Sequence, residues 1–156
     1  GKCMTKRMLV VGLLLGCLAW SACGSAPGDS SPGVIAGNVA IAAGMDCSAA
    51  PDDCTGTVYL YVVAENPLTN PAQTPEAIAI VEPADLTGGA RVAYRIEDVP
   101  PGSWYLAGFL DDDANASRLA PMPDLGDPIP YPFPQIDVTP GDTVTRDLTL
   151  AVRMPP

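Results

Sequence analysis

Proline sets the first limit on what this chain can fold into. The sequence holds 18 prolines, the first of them Pro27. Inside a helix, proline removes a backbone donor and clashes with the preceding turn, at a cost of about 3 kcal/mol. Beyond Pro27 no stretch of about 12 residues with helical periodicity is free of Pro or Gly. Long helices are thereby excluded and the chain is expected to be all-β.

Strand patterns fill the space between the breakers. Residues 34–42 form a small apolar run. Residues 56–64 set Val58, Leu60 and Val62 against Thr57, Tyr59, Tyr61 and Val63, a pattern that fits a strand covered on both faces. Residues 77–81 make a short run closed by Pro83. In 91–99, Val92, Tyr94 and Ile96 face inward against Arg91, Ala93 and Arg95. Residues 103–110 place Trp104, Leu106 and Leu110 on one face. Residues 135–138 and 143–152 complete the set, the latter with Val144, Leu148 and Leu150 opposite Thr145, Asp147 and Thr149. Turn chemistry separates these runs at 66–75, at 86–89, at Pro100, Pro101 and Gly102, and at Pro140, Gly141 and Asp142. Seven short strands joined by such turns predict a seven-stranded antiparallel β-sandwich.

Composition removes whole classes of chemistry. There is no histidine, so Ser-His-Asp and Cys-His nucleophile systems and imidazole metal sites are out of reach. Eighteen acidic against 8 basic residues give a net charge of −10, which repels a phosphate backbone, so no nucleic-acid partner is expected.

The N-terminal segment reads as an export signal. Lys6 and Arg7 precede an apolar run from Met8 to Trp20, followed by Ser21, Ala22 and Cys23. That run is about 13 residues, whereas a permanent membrane helix takes about 20. A cysteine directly after small residues resembles the lipobox of bacterial lipoproteins, which implies cleavage before Cys23 and acylation of that cysteine by palmitate-type lipid. Trp20 stands where the family prefers leucine. Leu14, Leu15, Gly16 and Cys17 fit the pattern locally, but cleavage there leaves a shorter apolar run and an apolar new terminus. The expected organisation is a signal peptide over 1–22, a lipidated N-terminus and flexible tether over 23–33, and one β-sandwich domain over 34–156. An ordinary secreted protein with unmodified Cys23 is the alternative. Attachment to the bacterial cell envelope follows from the lipid, and Gly24, in place of a retention aspartate, favours the outer membrane.

Removing the leader takes both lysines, Lys2 and Lys6, and leaves arginine as the basic side chain. Schiff-base and P-loop enzymes need a lysine and are excluded for the exported portion. With Cys3 and Cys17 in the leader and Cys23 on the lipid, Cys47 and Cys54 remain. In an oxidising compartment they are expected to form a disulfide around a Pro- and Asp-containing turn, stabilising by about 2 kcal/mol.

Two further runs carry a family resemblance. Residues 95–115 contain Val99, Pro100, Pro101 and Gly102, then Trp104 and Tyr105, then Asp111, Asp112 and Asp113. Residues 136–150 contain the Pro140-Gly141 turn. Together they resemble the prealbumin-like (transthyretin-like, carboxypeptidase regulatory-like) sandwiches of bacterial envelope proteins. The resemblance implies a prealbumin-like sandwich without enzymatic activity.

The acidic loop is the most chemical-looking segment. Asp111, Asp113 and Asn115 stand at alternate positions, a spacing by which a tight loop aims successive oxygens at a hard cation such as Ca2+. Asp124 and Asp127 can complete a shell of about six or seven oxygens if the loop folds back. Ala116 occupies the place of a turn glycine in the related loops, and Met122 that of an EF-hand's closing glutamate. The alternative is a solvated acidic turn. Acid–base work on a glycosidic bond by a pair such as Asp111 and Asp127 would need a dry pocket that a small sandwich offers little wall for. Most aromatic residues fit the core. Tyr131 and Phe133, set between Pro130, Pro132 and Pro134, suggest instead a ligand or partner surface. The reading is a lipid-anchored, non-enzymatic envelope protein with a binding or structural role toward an envelope protein or glycan. The alternative is a carbohydrate-binding module of the cell envelope.

Overall fold

A computed structural model describes residues 28–48 and 53–155. The leader, Cys23 and the start of the tether lie outside the described residues.

The described residues form an all-β fold in which two main sheets close on one apolar core. The first sheet is built on β1 (Gly33–Ile41), paired antiparallel with β4 (Arg91–Val99). Its other edge pairs in parallel with β8 (Thr143–Thr145) and then with β9 (Leu148–Leu150). The second sheet runs in the order β3 (Ala77–Asp85), β2 (Thr55–Val63), β5 (Gly102–Asp111), β7 (Gln135–Val138), antiparallel throughout. A small ribbon pairs β6 (Pro128–Ile129) with β10 (Val152–Arg153).

Alternation in sequence becomes the core directly. Ile35, Val39, Tyr94 and Ile96 of the first sheet meet Val58, Leu60, Val62, Leu106 and Leu110 of the second in one buried cluster, closed by Leu148 and Leu150. Truncating one such side chain removes its transfer free energy and leaves a cavity, about 3 kcal/mol in total. The outer residues of β2 and β5 are covered as well. Tyr59 and Phe109 stack with ring centroids 5.0 Å apart, and Ile129, Phe133 and Met154 pack over them. This is the two-sided burial that the 56–64 pattern predicts.

Three expectations change. The 143–152 run is three strands rather than one, and β6 is a strand the sequence pattern did not mark, giving ten strands among the described residues instead of seven. The break falls at Arg146, whose N–H donates to Ala36 O at 2.8 Å and whose carbonyl accepts from the Tyr94 hydroxyl at 2.6 Å. Gly37 makes room for this approach, because a Cβ there would overlap the Arg146 carbonyl. Secondly, β8 and β9 pair in parallel with β1, so the first sheet is mixed. Thirdly, Pro83 does not end β3. Glu82 and Pro83 together oppose Thr57 in a bulge between the Val58–Val81 and Gly56–Ala84 pairs. At a bulge on an edge strand the missing N–H costs no ladder bond.

The turn at Val99, Pro100, Pro101 and Gly102 carries the chain from the first sheet to the second. Trp104 fixes it by donating its indole N–H to Pro100 O at 2.8 Å. The Cys47–Cys54 disulfide is present, with Cα atoms 5.2 Å apart. It joins the connection that follows β1 to the start of β2.

Candidate cation site in the acidic loop

The loop begins where β5 ends, at Asp111, opposite Thr57 of β2. The backbones approach so closely there that a Cβ on Gly56 would overlap the Asp111 carbonyl. Asp111 is buried, 4% exposed. Its Oδ1 accepts from the Asn115 N–H at 3.0 Å and its Oδ2 from the Ala116 N–H at 3.2 Å. One carboxylate thus closes the loop over itself. The residue that turns the chain is Ala114, with φ 61°. A left-handed alanine costs roughly 1 kcal/mol. The glycine expected at 116 is not required, because Ala116 does not occupy that conformation.

The five candidate ligands separate into two groups. Oxygens of Asp111, Asp113 and Asp127 lie within 4.8 Å of one another. Asn115 and Asp124 flank them, with Asn115 Nδ2 donating to Asp113 Oδ2 at 2.7 Å and to Asp124 Oδ2 at 2.5 Å. The loop therefore does fold back, bringing Asp127 from its far end against Asp111 at its start.

Asp127 is 1% exposed. Its Oδ2 accepts from the Asp124 N–H at 3.0 Å, and its backbone carbonyl accepts from the Met154 N–H at 2.8 Å. Burial pushes its pKa from 3.8 up to about 7, with the charges of Asp124, Asp111 and Asp112 adding and the Asp124 N–H opposing. Asp113 is also raised, first by desolvation and then by the charges of Asp124 and Asp111. Asp111 and Asp127 are buried and Asp113 is exposed, and carboxylates crowded this closely favour a shared proton or a cation. The donor set is all oxygen and anionic, which suits a hard ion such as Ca2+ and no soft metal.

Sequence reasoning missed the cation that anchors the loop. Arg153 of β10 reaches Asp112 Oδ2 at 3.2 Å, where the Asp112 side chain is 2% exposed. Arg153 also donates to Gly126 O and to Asp46 O, each at 2.8 Å, and lies 3.7 Å from Cys54 Sγ. It thereby ties the loop to the disulfide. No local pattern marks this, since the partners stand far apart in the chain.

Tyr131 and Phe133 are placed differently. Tyr131 is 55% exposed, whereas Phe133 packs against the Tyr59 and Phe109 cluster. Among the described residues no helix is long and apolar enough to cross a membrane. Compared with known protein families, curated proteins and solved structures, the chain finds no match.

Proposed function

We propose that this is a lipid-anchored, non-enzymatic protein of the bacterial cell envelope, with a prealbumin-like sandwich that binds or supports other envelope components and an acidic loop braced by calcium. The observation that carries the reading is the convergence of Asp111, Asp113 and Asp127 from both ends of one loop. With no cation, Asp127, pushed up to about 7 by burial, keeps part of its proton at neutral pH. With calcium, that proton leaves and the three carboxylates clasp the loop to β5. The lipid rests on Cys23, preceded by Ser21 and Ala22 and followed by a polar, small-residue tether. Absence of histidine, and of lysine beyond the leader, supports a role without covalent chemistry.

Two measurements test the two halves. Calorimetric titration of the chelator-treated chain with CaCl2 at pH 7 should give one site that Asp127→Asn removes. No heat at millimolar calcium contradicts the brace. Growth with a fatty-acid analogue should label the chain, and Cys23→Ala should remove both label and membrane association. Labelling that survives Cys23→Ala contradicts the anchor.

A further inference from the structure

The cleft beside the break in the first sheet points to a ligand. This inference goes beyond the reading above: it gives the binding role a chemical class and depends on neither lipid nor ion.

Beyond the leader the basic side chains are Arg91, Arg95, Arg118, Arg146 and Arg153. Arg91 pairs with Asp147 at 3.0 Å, Arg95 with Glu97 at 2.8 Å, Arg153 with Asp112 at 3.2 Å, and Arg118 with Glu82. Among the described residues Arg146 alone of the five has no carboxylate partner. In a chain with 18 acids, a guanidinium that no acid neutralises has a geometric cause. The Arg146 backbone is held on both sides, by Ala36 and by the Tyr94 hydroxyl. The neighbouring acid, Asp147, is already used. Its Oδ1 accepts from the Asn38 N–H at 2.9 Å and its Oδ2 from Arg91 at 3.0 Å.

Arg146 is exposed and lines a cleft of about 330 Å³. The cleft is also lined by Pro130, Tyr131, Pro132 and Pro134, by Thr149, and by Asp147, whose carboxylate is already met by Arg91. The cleft thus offers an exposed aromatic ring among proline rings, a hydroxyl and one uncommitted planar cation. An aromatic ring stacks on flat C–H-rich surfaces while its polar tip stays wet. A guanidinium matches a carboxylate in a two-point fork. We propose that this cleft binds an acidic saccharide, with a pyranose C–H face on Tyr131 and the uronic carboxylate on Arg146. A purely apolar ligand would leave the guanidinium unmatched, and a polyanion longer than the cleft would meet the surrounding acids.

The test is titration of the purified chain, in metal-free buffer, with a short oligogalacturonate and with its methyl ester, which has the same shape but no charge. The acid should bind about tenfold or more tightly than the ester. Arg146→Gln should erase that difference, Tyr131→Ala should weaken both ligands, and Arg95→Gln should change neither. All three altered side chains are exposed, so the variants should unfold at the temperature of the parent. Equal binding of acid and ester, acid preference that survives Arg146→Gln, or no binding by either at about 10 mM overturns the proposal. Preference for a polyglutamate peptide over every sugar, with the same Arg146 dependence, also overturns it. None of these results bears on calcium uptake or on labelling at Cys23, so the two readings fail separately.

Discussion

Two proline-rich connections leave and enter β5, and they hold their shapes by different means. The one before it, at Val99 to Gly102, is a tight turn whose proline torsions and Trp104 bond are local and uncharged. The one after it, from Asp112 to Pro134, is long and is fixed by contacts from elsewhere: Arg153 on Asp112, Met154 on Asp127, and carboxylates on each other. The first is insensitive to pH and ions because nothing in it titrates. The second is conditional, because its closure brings together groups that repel when ionised.

The largest expected difference comes from Arg153→Ala. It strips Asp112 of the guanidinium that meets its buried carboxylate and should cost roughly 3 kcal/mol in denaturant unfolding. Leu106→Ala should cost a similar amount by leaving a cavity. The two are told apart by proteolysis, since the arginine variant should become cleavable in the 112–127 loop and the core variant should not. Opening the Cys47–Cys54 disulfide should cost about 2 kcal/mol. It should also loosen the Arg153 side of the loop, seen as faster amide exchange at Gly126. Asp127→Asn should add on the order of 1 kcal/mol at pH 7 in chelator, because it removes a charge that burial disfavours. Trp104→Phe should cost about 1 kcal/mol for one lost hydrogen bond, equally at every pH and with or without calcium.

How much of this was legible in the sequence follows the same division. The core positions of β2, β4 and β5 are visible as alternation because a strand's period of two is a local property. The Pro100-Pro101-Gly102 turn is visible because its residues carry their own torsions. Asp111 and Asp113 are visible as a spacing. The parallel pairing of β8 and β9 with β1 is not, since periodicity tells which face is buried and says nothing about which neighbour lies alongside. The split at Arg146 depends on Gly37, far away in the chain, admitting a carbonyl. Which of three consecutive aspartates finds an arginine depends on where β10 docks, so Asp112 and Arg153 had no signature.

Charge state gives the comparison its sharpest form. Hydroxyl and then backbone N–H donors from Thr55 and Thr87 hold the carboxyls of Asp53 and Asp85 below their ordinary range. Stability from such groups is present above the unfolded value near 3.8 and is lost as pH falls through the lower folded value. Asp127 has the opposite sign. Between about pH 4 and pH 7 the folded state keeps a proton that the unfolded chain has released, so stability falls as pH rises through that window. The slope is on the order of 1 kcal/mol per pH unit.

Thermal unfolding at pH 5 and pH 7, in chelator and in millimolar CaCl2, tests the conditional loop most directly. In chelator the melting temperature should drop from pH 5 to pH 7. Calcium should recover that loss at pH 7, by about 3 kcal/mol when the ion is at about a hundred times its dissociation constant, and should do little at pH 5, where protons hold the site. Melting curves that superpose with and without calcium at pH 7 would contradict the account.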